Sequence, residues 1–354
     1  MKEGVIISCF HPNLGQRVKG SGSVPSLIRP LKENEWSDDH FIRHLFLDGD
    51  VDSLGRELES FIIPCGKCIG CRLDYAREWS DRCYLHSLTT SPNWFITLTY
   101  DDLNLPINEF VTEDGATVYV NSLVKAHLSE FMKRLRSYYD YHFEIKEFSF
   151  YACGEYGSRY SRPHYHMLLF GVPIPDLEVF TFKDGFVTYN SKIFSDCWKK
   201  GFVTVNEFSY ETASYVARYC LKKQYGEDKL FYESKGLLPE FSLMSRNPGI
   251  GYEYFKLHKD DIFNLGYVPI KKSGGIYHSP IPKYYERLLE KEDPLLFASY
   301  KSSKKSDSLD RFVYNYHLSA SELPMLNQLE VSESVKLNQI KALRRQFESF
   351  YNCI

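Results

Sequence analysis

The chain has no run of about 18 or more uncharged apolar residues, so a membrane-spanning helix is not expected. Its opening, Met1-Lys2-Glu3-Gly4-Val5-Ile6-Ile7-Ser8-Cys9, offers too short an apolar core and no cleavage site for a secretory signal, which points to a cytoplasm. An even cysteine count is missing too: nine cysteines suit a reducing compartment better than a disulfide framework. No Gly-x-x-x-x-Gly-Lys-Ser/Thr loop occurs, which removes a helicase of that type. Internal repeats are absent, and the polar stretch Lys301 to Ser308 reads as a linker or loop.

An excess of basic charge is also lacking. The net charge is -3, low for a chain that handles nucleic acid, but its distribution is uneven. Residues 31–60 hold nine acids and three bases, a balance of -6, which leaves +3 on the remainder. Lys133-Arg134 with Arg136, Lys199-Lys200 and Lys222-Lys223 therefore remain available to phosphates. Tyr 27 and Phe 25 make an aromatic excess that fits base stacking and fits an aromatic core equally well.

Patterning predicts the order of elements. A helix is expected from about Cys71 to Leu88, and a strand over Trp94–Tyr100 between Pro92-Asn93 and Asp101-Asp102. Val124, Leu128, Phe131, Leu135 and Tyr138 recur at helical spacing behind a cap at Asn121 or Ser122. Strands are expected over Glu147–Cys153 and His164–Phe170, pairing antiparallel, with short ones near 186–190 and 202–206. The expected class is α+β: a central antiparallel sheet with flanking helices on one face. Residues 1–60 read as an N-terminal extension, 61–224 as the principal domain, and 225–354 as an appended, mostly helical region with a terminal helix near 333–352.

Side chains alternate along a strand, so His164 and His166 share one face with Leu168 and Phe170, while Tyr165 and Met167 take the other. Two imidazoles about 7 Å apart at the Cα level can bind one divalent ion. In the expected hairpin Glu155 lies opposite His164 as a third ligand, leaving positions for water and a phosphate. Phosphate oxygens favour Mg²⁺ or Mn²⁺ in such a site, and imidazoles also accept Co²⁺, Ni²⁺ or Zn²⁺.

Residues 211–224 contain neither glycine nor proline and suit a helix. At about 100° per residue, Tyr215, Tyr219 and Lys222 fall on one stripe within about 60°. Ala213, Val216, Ala217, Cys220 and Leu221 face the opposite way. A phenol with pKa ~10 needs a base or a cation to act as a nucleophile, and Lys222 is placed to serve. Upstream, Cys65-x-x-Cys68-x-x-Cys71 supplies three thiolates for a structural Zn²⁺, with Cys83, His86 or Cys9 as candidates for a fourth. The alternative is a turn whose reduced cysteines pack without metal. Arg72, Arg77 and Arg82 follow as candidate DNA contacts.

At these residues the chain resembles the HUH (His-hydrophobic-His) endonucleases. Within them it is most similar to the rolling-circle replication initiators of gokushovirus-like microviruses. The resemblance covers about 62–223. It rests on Pro64-Cys65-Gly66-Lys67-Cys68-Ile69-Gly70-Cys71-Arg72, Phe95-Ile96-Thr97-Leu98-Thr99-Tyr100, Cys153-Gly154-Glu155-Tyr156-Gly157, Arg162-Pro163-His164-Tyr165-His166 and Tyr215-Val216-Ala217-Arg218-Tyr219-Cys220-Leu221-Lys222-Lys223. It implies an HUH nuclease core, ferredoxin- or RRM-like. The implied protein nicks single-stranded DNA at an origin on supercoiled replicative-form DNA in a bacterial host's cytoplasm. It forms a 5′-phosphotyrosine link and frees a 3′-OH for host polymerase and helicase. By position, His164 and His166 are the implied metal ligands with Glu155 as the third, and Tyr215 and Tyr219 are the alternating nucleophiles. Arg159, Arg162, Arg218 and Lys223 are candidate DNA contacts. Plasmid initiators, relaxases and transposases share this chemistry, and a zinc-containing nucleic-acid-binding protein without catalysis is the reading from a different class.

Overall fold

The structure is a computed structural model, and it describes residues 9–20, 27–30, 51–157, 161–183, 185–218, 232–272, 274–304 and 329–339. Two units, Met1–Asp74 with Ser302–Ile354 and Tyr75–Lys301, separate in the chain's own contacts. In the first unit, β1 (Asn13–Val18) pairs antiparallel with both β2 (Leu27–Pro30) and β3 (Leu58–Ile63). This three-stranded sheet was not legible in the first 60 residues, whose strands are short and carry no sustained alternation. α1 (Ile69–Ser87) begins directly after Cys68.

The second unit is built on β4 (Asn93–Thr99), the hairpin β5 (Ile107–Val111) and β6 (Thr117–Asn121), α2 (Lys125–Phe143), β7 (Ser149–Tyr156) and β8 (Pro163–Phe170). It continues through β9 (Leu177–Lys183), β10 (Phe186–Ser191), α3 (Lys192–Trp198), β11 (Val203–Glu207) and α4 (Tyr210–Arg218). β12 (Phe241–Met244), α5 (Tyr252–Leu265), the hairpin β13 (Val268–Lys272) and β14 (Gly275–Ser279), and α6 (Lys283–Glu292) follow. Seven strands form one sheet in the order β12-β7-β8-β4-β11-β10-β9, every pair antiparallel. The α+β class with a central antiparallel sheet is therefore observed, and helices predominate after residue 250.

Helices cover both faces, not the one expected. On one face Tyr165, Met167 and Leu169 pack with Ile96 and Leu98 against Leu128, Phe131, Leu135 and Tyr139 of α2 and against Phe194 and Trp198 of α3. On the other, Leu168 and Phe170 join Phe95, Tyr151 and Cys153 against Trp79 and Cys83 of α1 and Ala213, Val216 and Ala217 of α4. Met167-Leu168-Leu169-Phe170 is a continuous apolar run, which is what a strand buried on both sides requires.

The cap of α2 also differs from expectation. It is Val124, in extended conformation with no side-chain hydrogen bond. Asn121 is committed to β6 opposite Ile107, and the Ser122 hydroxyl accepts the Leu238 N–H at 2.9 Å. The short strands expected near 186 and 202 are β10 and β11. β12 was unforeseen: it belongs to the stretch read as appended, yet it edges the main sheet, with Phe241 opposite Gly154. The appended helices dock on α1, where Leu85 packs with Phe255, Ile262, Tyr285 and Leu289. Arg82 is buried, lying 4.1 Å from the ring centroids of Trp79 and Tyr284 and donating to the Ile250 carbonyl. Arg77 is bonded to Asp81 and Ser279. These two arginines hold the fold together, contrary to the expectation that they reach DNA.

His86 is buried edge-on to Phe170, its ring nitrogens without a hydrogen-bond partner. Burial first, and the Arg82 charge second, push its pKa down to about 4. An unfolded imidazole takes its proton near pH 6.5, so His86 favours the unfolded state progressively as pH falls from there to about 4. Urea titrations across this window should show His86→Leu losing less stability than the wild type, by at most roughly 3 kcal/mol. Parallel curves would show that His86 does not titrate this way.

Candidate metal and tyrosine site

β8 lies between β7 and β4, and the register of these strands assembles the site. Glu155 stands opposite His164 and Cys153 opposite His166 on β7, while Thr99 and Thr97 flank the same two histidines from β4. The expected pairing of Glu155 with His164 is thus observed. Glu155 Oε1 lies 2.5 Å from His164 Nε2 and 2.9 Å from His166 Nε2.

Glu155 and His166 are buried and His164 half-buried, so the trio is open on the His164 side. Burial alone would raise the Glu155 pKa. The hydrogen bonds and charges of His164 and His166 outweigh it and hold the carboxyl down to about 2. The three donor atoms lie within 4.8 Å of one another. One carboxylate oxygen and two imidazole nitrogens form a donor set suited to a divalent cation.

Two contacts aim the histidines. His164 Nδ1 donates to the Arg162 carbonyl at 3.1 Å, and the Thr97 hydroxyl stands 3.0 Å from His166 Nδ1. Both rings therefore turn Nε2 toward Glu155, and partners of this kind fix a ligand's tautomer and orientation. Phe95 stacks on His166, with centroids 5.5 Å apart and an interplanar angle of 13°. Sequence reading found the strand carrying Phe95 and Thr97 but not their role. The available signal was that alternate residues of β4 share the histidines' face, and only the pairing of β4 with β8 made it usable.

α4 lies over this face. Ala213, Val216 and Ala217 are fully buried, as the stripe predicted, and Tyr215 is turned toward the sheet. Its hydroxyl is 3.4 Å from His166 Nε2, and its ring is edge-on to those of His166 and Phe95. The structure therefore brings Glu155, His164, His166 and Tyr215 together. Tyr219, Lys222, Lys223 and Arg159 lie outside the described residues. Arg162 is paired with Asp102 at 2.7 Å and donates to the Tyr100 carbonyl, and the Arg218 guanidinium lies against the Ser214 hydroxyl.

The cysteine cluster is also a convergence, in the first unit. Cys65, Cys68 and Cys71 meet Cys9, all four sulfurs within 4.8 Å. Of the three residues considered for the fourth position, Cys83 lies instead in the core beneath α1 and His86 against Phe170.

A family model described as a replication-associated protein, of the ORF2 type, matches residues 93–224. Replication-associated protein ORF2 of Spiroplasma virus 4 is 35% identical over 294 residues, 81% of this chain and 86% of its own length. The chain belongs to the replication-associated proteins of microviruses. Replication-associated protein VP4 of Bdellovibrio phage phiMH2K is 30% identical over 259 residues, covering 72% of this chain and 76% of its own. Replication-associated protein ORF4 of Chlamydia phage 1 is 32% identical over 169 residues, covering 46% and 39%. No solved structure matches. The family match begins at the first residue of β4 and contains the trio and Tyr215, while Cys65, Cys68 and Cys71 lie before it. Among the described residues of this Rep, no helix is long and apolar enough to cross a membrane.

A ligand that binds only the folded state raises its apparent stability by about 2.7 kcal/mol at a hundred times Kd. Mn²⁺ should accordingly raise the Tm of the wild type by several degrees, and Glu155→Gln should abolish most of that rise. An equal rise in both proteins would place the ion elsewhere.

Proposed function

We propose that this protein initiates rolling-circle replication by nicking single-stranded DNA at its origin. The tyrosine attack leaves a 5′-phosphotyrosine link and a free 3′-OH, and a later strand transfer closes the circular genome. The observation that carries this reading is the Tyr215 hydroxyl, 3.4 Å from a ring nitrogen of the Glu155–His164–His166 trio. A phenol that close to a cation-binding donor set is positioned to share one phosphate with it.

Glu155, His164 and His166 would hold Mg²⁺ or Mn²⁺, which supplies Lewis-acid activation of the scissile phosphate. The protein's own groups do the rest. The Tyr215 oxygen forms a bond to phosphorus, the 3′-oxygen leaves with the bonding pair, and the phenol's proton ends on the departing 3′-hydroxyl. One phosphodiester is exchanged for another, so no nucleotide cofactor is consumed. Lys222 stabilises charge on the phenolate or the phosphate, and Tyr219 performs the second transfer that regenerates a unit-length circle. Arg159, Arg162, Arg218 and Lys223 contact the DNA backbone. Residues 61–224 form the nuclease domain, flanked by the extension at 1–60 and the region from 225 to 354. The partners are the origin in single-stranded and supercoiled form and the host's helicase and polymerase, in the host cytoplasm.

Incubation of the protein and Mn²⁺ with labelled single-stranded DNA from its own genome should yield a covalent adduct that survives denaturation. Tyr215→Phe with Tyr219→Phe should remove it; an adduct formed by that double variant would overturn the assignment. His164→Ala/His166→Ala should cut cleavage by about a hundredfold or more, a loss of several kcal/mol, with most DNA binding retained. Loss of binding in step with cleavage would instead make the histidines structural. Thr97→Val keeps both histidines but removes the partner of His166, and calorimetry should read a Mn²⁺ affinity about tenfold weaker. An unchanged affinity would leave Thr97 without an orienting role.

A further inference from the structure

The first unit poses a stability problem. Its three-stranded sheet is small, and none of the chain's three clusters of buried apolar side chains draws on it among the described residues. The buried apolar residues described there are Cys9, Phe10, Leu14, Cys68, Cys71 and Leu329, half of them cysteines. A segment with so little apolar burial needs a covalent or metal staple to hold one conformation.

The geometry of the cysteines suits a metal rather than a bridge. Cys9 precedes β1, Cys65 and Cys68 lie in the turn after β3, and Cys71 is in the first turn of α1. The Cys9 and Cys68 sulfurs are 3.9 Å apart, and all four sulfurs lie within 4.8 Å. Four thiolates around Zn²⁺, each at about 2.3 Å in a tetrahedron, stand about 3.8 Å from one another. Backbone N–H groups already point at the sulfurs. Cys65 N–H donates to Cys9 Sγ at 3.1 Å, Phe10 N–H to Cys68 Sγ at 3.3 Å, and the Lys67 and Cys68 N–H groups to Cys65 Sγ at 3.4 and 3.2 Å. Donors converging on sulfur favour the thiolate, the form a metal binds. Gly66, at φ +74°, supplies the left-handed turn between Cys65 and Cys68 that wraps the chain around the cluster.

We propose that Cys9, Cys65, Cys68 and Cys71 bind one structural zinc ion, which fastens the strand start at β1 and the exit of β3 to the first turn of α1. Cys9, 56 residues before its nearest cluster partner Cys65, is the ligand that closes the site. All four positions being cysteine, no place is left for water or substrate, so the ion is structural and not catalytic. The site is separate from the Glu155 trio in residues and in donor chemistry: soft sulfur against imidazole and carboxylate.

The test is elemental analysis of the full chain purified under reducing conditions, with thiol titration by p-hydroxymercuribenzoate and a colorimetric zinc indicator. About one zinc per chain is expected, released as the thiols are titrated, and retained in His164→Ala/His166→Ala and Glu155→Gln. Cys9→Ser should lower zinc occupancy at least several-fold, and Cys9→His, which restores a ligand, should recover it. Should the serine variant fail to fold, Co²⁺ exchanged into the wild type still decides: tetrathiolate coordination gives intense sulfur-to-cobalt charge-transfer bands. Zinc-free wild-type protein, zinc lost with the histidine variants, or iron with inorganic sulfide in its place would each overturn the proposal.

Discussion

A carboxylate buried between two imidazoles is the contact on which the site depends. Glu155 is held ionised by His164 and His166 although burial works against its charge, and all three lie on paired central strands. An isolated buried carboxylate would neutralise itself, whereas one paired with two nitrogen donors is poised to exchange them for a cation. The constraint reaches outward through register. A one-residue slip of β8 against β7 would send both histidines into the apolar face occupied by Tyr165 and Met167. The apolar run 167–170, buried on both sides, is what prevents that slip.

The nucleophile is placed by the same sheet. α4 approaches closely because Ala213 and Ala217 present almost no side-chain bulk to it, and Val216 fills the remaining space. With that face pinned, Tyr215 has its ring against Phe95 and His166 and its hydroxyl at the trio. Ring contacts and helix packing thus set one distance between two elements 49 residues apart in sequence. Thr97 and the Arg162 carbonyl complete the arrangement by deciding which nitrogen each histidine presents.

The remainder supports this layer. α1 buries Trp79 and Cys83 against the sheet and Leu85 against the helices after residue 250, with Arg82 sandwiched between aromatic rings where the two packings meet. The stretch after residue 231 is not merely attached, since β12 hydrogen-bonds to β7 beside Glu155 and protects the edge of the strand that carries it. Family membership agrees with this economy: the similarity to the Spiroplasma virus protein covers 81% of the chain, well beyond the interval that holds the trio.

Much of the core was legible in the sequence because it follows from local periodicity. Alternation put His164 and His166 on one side of a strand, a nine-residue lead across a hairpin put Glu155 opposite His164, and helical spacing separated Tyr215 from Ala213, Val216 and Ala217. Each depends on residues close together in the chain, where backbone geometry leaves little freedom. What tertiary structure alone decided involves partners far apart. It chose Cys9 among three candidate fourth cysteine-cluster residues, gave the sheet helices on both faces, and turned Arg77 and Arg82 inward. It recruited β12 into the sheet, and it set Thr97 and Phe95 beside His166. Periodicity says which face a residue occupies, but not which distant element packs on that face. That is settled by the packing of the whole molecule, in which many weak contacts are satisfied at once.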